Sequence, residues 1–221
     1  MRIVIAGGHG QIALLLSRRL ADAGHQPVGL IRNPEQADDV RVAGAEPVVL
    51  DLEQSSVDEI GLALDGADAV VFAAGGGPNS GAARKLTVDR DGAVLLARAA
   101  ETAGVRRYVM ISALAADDYD RDAADVETGE VFQVYLRAKA EADEAVRASE
   151  LDWTVLRPGG LTDDPGTGRV RLAERTGRGT IPRADVAALV AACLTDGLAV
   201  GVQVEAVSGD TPIGEALAAL G

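Results

Sequence analysis

A chain of 221 residues with 48% apolar side chains and only 3% aromatics can bury a sizeable core of Val, Leu, Ile and Ala, which suits one α/β domain with a parallel sheet and Ala-rich helices. Its formal net charge of −13 repels polyanions and argues against nucleic acid as a partner. The single Cys193 excludes an internal disulfide, and two histidines leave little for a transition-metal site.

The predicted elements alternate from the first residue. Residues 2–6 read as a buried strand, 11–23 as a helix stopped by Gly24, 27–31 as a strand, 34–43 as a helix stopped by Gly44, and 47–50 as a strand. Residues 55–64 follow as a helix capped by Ser55 or Ser56, then a strand at 69–73, a long helix at 83–103 ending at Gly104, and a strand at 107–112. Helix 131–149, strand 153–156, helix 184–194, strand 202–207 and helix 213–220 complete the chain. Strands separated by single helices predict right-handed crossovers and a Rossmann-type doubly wound parallel sheet, with substrate-side elements at 158–183 and 198–221. No repeat, low-complexity segment or linker marks a domain boundary. Two stretches lack regular patterning: the glycine-rich 75–81, and 114–130, which holds seven carboxylates and one arginine and reads either as a solvated surface loop or as a functional one. The opening Met1-Arg2-Ile3-Val4-Ile5-Ala6 reaches glycine too early for a signal peptide. No run of about 20 apolar residues is present to span a membrane, so a cytoplasmic location is expected. Cys193 reads as a small apolar residue in a helix.

The turn Gly7-Gly8-His9-Gly10-Gln11-Ile12-Ala13 joins the first strand to the first helix with the spacing G-x-x-G-x-x-A. Gly7 permits the tight turn, Gly10 lets the backbone approach a pyrophosphate, and Ala13 lets the helix pack closely on the sheet. The helix N-terminus offers free N–H groups and partial positive charge to phosphates. His9 reads as an exposed loop residue. The second strand ends Leu30-Ile31-Arg32-Asn33-Pro34, without the acid that bonds the ribose 2′-hydroxyl in an NAD site. Arg32, with Asn33 beside it, suits a 2′-phosphate instead, so NADP(H) is favoured over NAD(H). Asp51-Leu52 follows the third strand, where Asp51 could reach the adenine amino group, and Ala73-Ala74-Gly75 end the fourth strand with residues small enough for a cofactor to lie against the backbone.

Tyr135 and Lys139 stand four apart on one helix face, and Ser112 ends the fifth strand at the carboxyl edge of the sheet. Together they suit carbonyl reduction. Lys139, and an oxidised nicotinamide when present, would favour the phenolate of a tyrosine whose free pKa is about 10, Tyr135 would exchange a proton with the substrate oxygen, Ser112 would hold that oxygen, and Lys139 would orient the nicotinamide ribose. Tyr108, inside a strand, and Tyr119, in the acidic segment, are poorer candidates.

These residues resemble the atypical short-chain dehydrogenase/reductases of the NAD(P)H-binding, NmrA-like kind. The similar stretches are 3–13, 88–93, 105–112, 135–143, Leu156-Arg157-Pro158-Gly159-Gly160-Leu161-Thr162, 183–187 and 208–212, and they span nearly the whole chain. The resemblance implies that Gly7, His9, Gly10, Gln11 and Ile12 line the pyrophosphate, Arg32 takes the 2′-phosphate, Asp51 and Leu52 the adenine, and Ala73, Ala74 and Gly75 the ribose and nicotinamide side. It implies catalytic roles for Ser112, Tyr135 and Lys139, and closure over the nicotinamide by Pro158, Gly159 and Gly160. The fourth strand lacks the Asn of the larger subfamilies. Only 64 residues follow Arg157 (221 minus 157), less than the C-terminal domain that extended sugar-nucleotide epimerases carry, which points to a small or flat substrate. The expected function is an NADPH-dependent oxidoreductase acting on a small carbonyl or quinone-like molecule. The alternatives are a non-catalytic redox sensor and an epimerase with tightly held cofactor. The outer faces of helices 83–103 and 131–149 are either solvated or paired in a homodimer.

Overall fold

The computed structural model describes residues 1–77 and 80–220. The chain runs β1 (Arg2–Ala6), α1 (Gln11–Asp22), β2 (Gln26–Ile31), α2 (Ala37–Val42), β3 (Glu46–Val49), α3 (Val57–Ala63), β4 (Ala69–Phe72) and α4 (Ala82–Arg84). A π-helical stretch, Lys85–Gly92, leads into α5 (Ala93–Ala103) and β5 (Arg107–Ile111). Beyond the acidic segment come α6 (Val131–Arg147), β6 (Asp152–Pro158), β7 (Gly160–Thr162), β8 (Arg169–Ala173), β9 (Thr180–Pro182), α7 (Arg183–Thr195), β10 (Val202–Ser208), β11 (Thr211–Pro212) and α8 (Ile213–Ala218).

The main sheet has the order β11-β8-β10-β6-β5-β4-β1-β2-β3. From β10 to β3 every neighbouring pair is parallel, while β8 and β11 add an antiparallel margin. β7 and β9 pair separately. The period of two along a strand sorts the core into two layers. Ile3 and Ile5 of β1 pack with Leu16 and Leu20 of α1 and with Leu189 and Val190 of α7, whereas Val4 and Ala6 pack with Ile60 and with Leu96 of α5. Both faces are covered, which is why β1 and β4 read as continuous apolar runs. Cys193 is fully buried within α7. Strand order reverses between β1 and β4, and the crevice at that reversal, outside the carboxyl ends of the strands, is where open α/β sheets take ligands. Among the described residues no helix is long and apolar enough to cross a membrane.

Local chemistry sets the boundaries. Ser56 caps α3: its hydroxyl accepts from the Glu59 N–H at 3.2 Å, and the Glu59 carboxylate accepts from the Ser56 N–H at 2.8 Å, an arrangement worth about 1 kcal/mol. The expected helix 34–43 instead opens as a 3-10 turn at Pro34–Gln36, capped by the Asn33 side chain, before α2 begins. The expected helix 83–103 is interrupted by the π turn. The strands β7, β8, β9 and β11 were not anticipated. Part of the glycine-rich stretch, Pro78 and Asn79, lies outside the described residues.

Candidate active site

The turn after β1 is held by close approaches that leave no room for side chains. Gly7 adopts φ +78°, and a Cβ on it would sit 2.6 Å from the Cα of Ala74. Gly8, given no role from sequence, is equally constrained, because a Cβ there would lie 2.5 Å from the Cα of Gly29. Gly10 is exposed and no side chain caps α1, so the free N–H groups of the first turn are left for an external acceptor. Ala13 is fully buried.

A cavity of about 300 Å³ lies against this turn, lined by Gly7, His9, Gly10, Arg32, Asp51, Leu52, Ala73, Ala74 and Gly75, together with Glu53 and Arg84. His9 Nε2 lies 2.8 Å from an Asp39 carboxylate oxygen. Arg32 is about half exposed and 3.9 Å from Glu53, whose carboxylate accepts from Arg84 at 2.7 Å and from the Thr87 hydroxyl at 2.7 Å. The acid missing from the end of β2 is thus matched by one just after β3, and a second arginine arrives from α4. Sequence reading missed both, because nothing local to Glu53 or Arg84 signals that the sheet brings them beside Arg32. Asp51 uses one carboxylate oxygen to accept from the Glu53 N–H at 3.0 Å. Gln11 and Asn33 line neither this cavity nor the next. Gln11 is exposed, and the Asn33 side chain accepts from the Glu35 N–H at 3.0 Å.

A second cavity, about 640 Å³, shares Ala73, Ala74 and Gly75 with the first and is lined by Ile12, Ser112, Tyr135, Lys139 and Pro158. The three residues singled out for chemistry therefore meet in one place, and Ile12 belongs to this end of the cleft rather than to the turn-side cavity. Gly159 and Gly160 do not line it. A Cβ on Gly159 would lie 2.4 Å from the Gly179 carbonyl oxygen, and Gly160 N–H donates to that same carbonyl at 2.9 Å. Their role is the close crossing of β7 and β9.

Side-chain contacts at this end form a continuous network. Lys139 is 3% exposed, and its ammonium donates to the Ile111 carbonyl at 3.2 Å and lies 3.3 Å from Asp89 Oδ1. Asp89 Oδ2 accepts from the Gly76 N–H at 3.0 Å, so one carboxylate fixes both the lysine and the loop after β4. The π turn, a feature frequent at functional sites, carries Asp89 and Lys85. Ser112 Oγ donates to Asp143 Oδ2 at 2.8 Å, and Arg157 Nε donates to the same oxygen at 2.8 Å. Arg157 then grips Asp117 of the acidic segment with two bonds, 2.6 and 2.9 Å, while Arg175 holds Asp118 at 2.8 Å through both nitrogens. The segment that reads either as a solvated loop or as a functional one is thereby tied through Arg157 and Asp143 to Ser112 of the cavity wall. With its proton engaged by Asp143, Ser112 offers the cavity lone pairs rather than a donor.

Burial pushes the Tyr135 hydroxyl above the usual tyrosine value, with Asp89 and Asp143 adding to the rise, and Lys139 only partly offsets this. Without a dinucleotide beside it, Tyr135 is therefore held as the phenol, and Lys139 by itself does not reverse the effect of burial. Burial works to lower the Lys139 ammonium, but Tyr135, Asp89 and Asp143 together carry it above its ordinary value. Burial raises Asp143 against the opposing pull of Arg157, Ser112 and Lys139. Among the described residues, Asp143 Oδ1 is buried with no hydrogen-bond partner, and no cluster of His, Cys, Asp and Glu is arranged to hold a metal.

The chain is similar over its whole length to several known proteins. An uncharacterized sugar epimerase of Bacillus subtilis, YhfK, is 39% identical over 218 residues, 98% of this chain and 99% of that protein. A solved structure from Bacillus halodurans, provisionally named an NAD-dependent epimerase/dehydratase, is 33% identical with a TM-score of 0.88 over 99% of both chains. The oxidoreductase ylbE of Lactococcus lactis is 27% identical with a TM-score of 0.82, covering 100% of this chain and 96% of that one. The family model described as NAD(P)H-binding matches residues 7–197, and the chain, a Rossmann-like α/β protein, belongs to that NAD(P)H-binding family.

Proposed function

We propose that the protein is an NADPH-dependent oxidoreductase of the short-chain dehydrogenase/reductase type, reducing a small carbonyl or quinone-like molecule. The observation that carries this reading is that Ser112, Tyr135 and Lys139 line one cavity, joined through Ala73, Ala74 and Gly75 to the cavity of the glycine turn. The uncapped α1 N-terminus and the Gly7–Gly10 cradle fit a pyrophosphate. Arg32 and Arg84 fit a 2′-phosphate that displaces the Glu53 carboxylate between them.

A reduced dinucleotide held by the Gly7–Gly10 turn and by Arg32 and Arg84 would supply the hydride for the substrate carbon. Tyr135, held as the neutral phenol by burial, donates its proton to the substrate oxygen as negative charge develops there. Lys139, kept charged and fixed by Asp89 and the Ile111 carbonyl, lies 5.9 Å from the centre of the Tyr135 ring and stabilises the phenolate left behind. Ser112, its proton directed at Asp143, accepts a hydrogen bond from the Tyr135 hydroxyl or from the alcohol product.

The test is the Tyr135→Phe variant against a panel of aldehydes and quinones with NADPH. Turnover of the substrates that the wild type reduces is expected to fall about 10²–10⁴-fold, with NADPH affinity unchanged within about two-fold. Turnover equal to wild type rejects Tyr135 as the proton donor.

A further inference from the structure

Lys85 is 6% exposed and lines the larger cavity. An ammonium has three donors. One goes to the Gly77 carbonyl at 2.6 Å, and the charge lies 5.3 Å from the centre of the Tyr135 ring. Among the described residues no carboxylate lies within 4 Å of it. The other charges in the wall are already matched: Lys139 by Asp89 at 3.3 Å, and Arg183 by Asp163 at 2.8 Å at the rim. A cation this deeply buried is costly without an anionic partner. The glycine turn opens on the other cavity, which Lys85 does not line, so a dinucleotide pyrophosphate at that turn leaves Lys85 unmatched.

Part of the wall around this charge is apolar. Val131 and Phe132 on the first turn of α6, and Leu161 on β7, line the cavity while remaining 43%, 63% and 39% exposed. The Phe132 ring lies 6.2 Å from that of Tyr135 at an interplanar angle of 33°. From these features we infer that the substrate is a flat apolar carbonyl compound bearing a carboxylate, with Lys85 pairing the carboxylate and Phe132 and Leu161 covering the body. The inference names the substrate class of the site proposed above and rests on that reading for the carbonyl, but not for the carboxylate. It also explains how a chain of net charge −13 can accept an anion: the field that matters is the local one inside the cleft.

The test is calorimetric titration of 2-naphthoate and, separately, the uncharged isostere 2-naphthamide into protein saturated with NADP⁺, or with NAD⁺ if that is the dinucleotide that binds. The wild type is expected to bind the carboxylate about ten-fold or more tightly than the amide. Lys85→Met is expected to erase that preference without changing dinucleotide affinity, and Lys85→Arg to retain it. Equal binding of the two ligands by the wild type overturns the inference whether or not any variant folds, as does a preference that survives Lys85→Met. A parallel assay of 6-carboxy-2-naphthaldehyde with NADPH separates the two claims. A carboxylate preference without turnover keeps the anion site and rejects the oxidoreductase reading, whereas turnover without the preference does the reverse.

Discussion

The two ends of the cleft are built by different means. The turn end is made of backbone: Gly7, Gly8 and Gly10 are fixed by distances to other main-chain atoms. The Tyr135 end is made of side chains gathered from β5, the π turn, α6, β6 and the acidic segment, and held by buried charge. A site of the first kind follows from local spacing and tolerates almost no change at a few positions. A site of the second kind depends on pairs, where loss of one member strands the other.

The largest effect should come from breaking such a pair. Arg157→Met leaves Asp143 buried with one fewer donor and releases Asp117. Loss of a partner of a buried charge costs about 3–5 kcal/mol, read as a lowered urea midpoint, together with faster proteolysis between residues 114 and 130. An unchanged midpoint would show that Arg157 does not hold the network. At the turn end, Gly7→Ala forces a side chain onto φ +78° and against Ala74. A loss of about 1–3 kcal/mol with dinucleotide binding abolished is expected, and retained binding would show that the backbone approach is not limiting. Gly24, at φ +81° with open space where a Cβ would stand, is the control: Gly24→Ala should carry strain alone and keep binding.

A smaller effect sharpens the same contrast through pH. Hydrogen bonds from Arg157 hold the Asp117 carboxyl below its ordinary range, against the opposing pull of burial. A depressed folded pKa adds stability above the unfolded value, about 3.9 for Asp, and that stability is lost as pH falls through the folded pKa. Hydrogen exchange, corrected for its intrinsic pH dependence, should therefore show the acidic segment loosening below about pH 4 while the amides of β1 and β4 stay protected. Asp143 acts in the opposite direction, because its raised value favours the protonated form in the fold, so the inner part of the network should outlast the outer. Simultaneous loosening of segment and sheet would contradict the separation.

What the sequence displayed follows the same division. The strand–turn–helix unit at 2–22 was legible because glycine spacing, apolar run and helical period all lie within about twenty residues. Tyr135 and Lys139 were legible as a pair on one helix face. Asp89 and Lys85 were not, because nothing in the sequence sets the π-helical stretch 85–92 apart from the single helix predicted over 83–103. The one hint was two charged residues on a buried stripe. Ser112 was found, but not its commitment to Asp143, which lies 31 residues away and meets it only once α6 packs beside β5. The short strands β7, β9 and β11 span only two or three residues each, too few for periodicity to register. β8 did carry an alternation, Arg169-Val170-Arg171-Leu172, that marks a half-buried strand.

The central claim, that the cleft is a site for NADPH, is tested most directly by calorimetric titration of NADPH and NADH into the wild type and Arg32→Ala. The account predicts tighter binding of NADPH by the wild type and loss of that preference, by about ten-fold or more, in the variant. Equal affinity for the two dinucleotides in the wild type, with Arg32→Ala unchanged, would contradict it and leave Glu53 as the residue that reads the ribose.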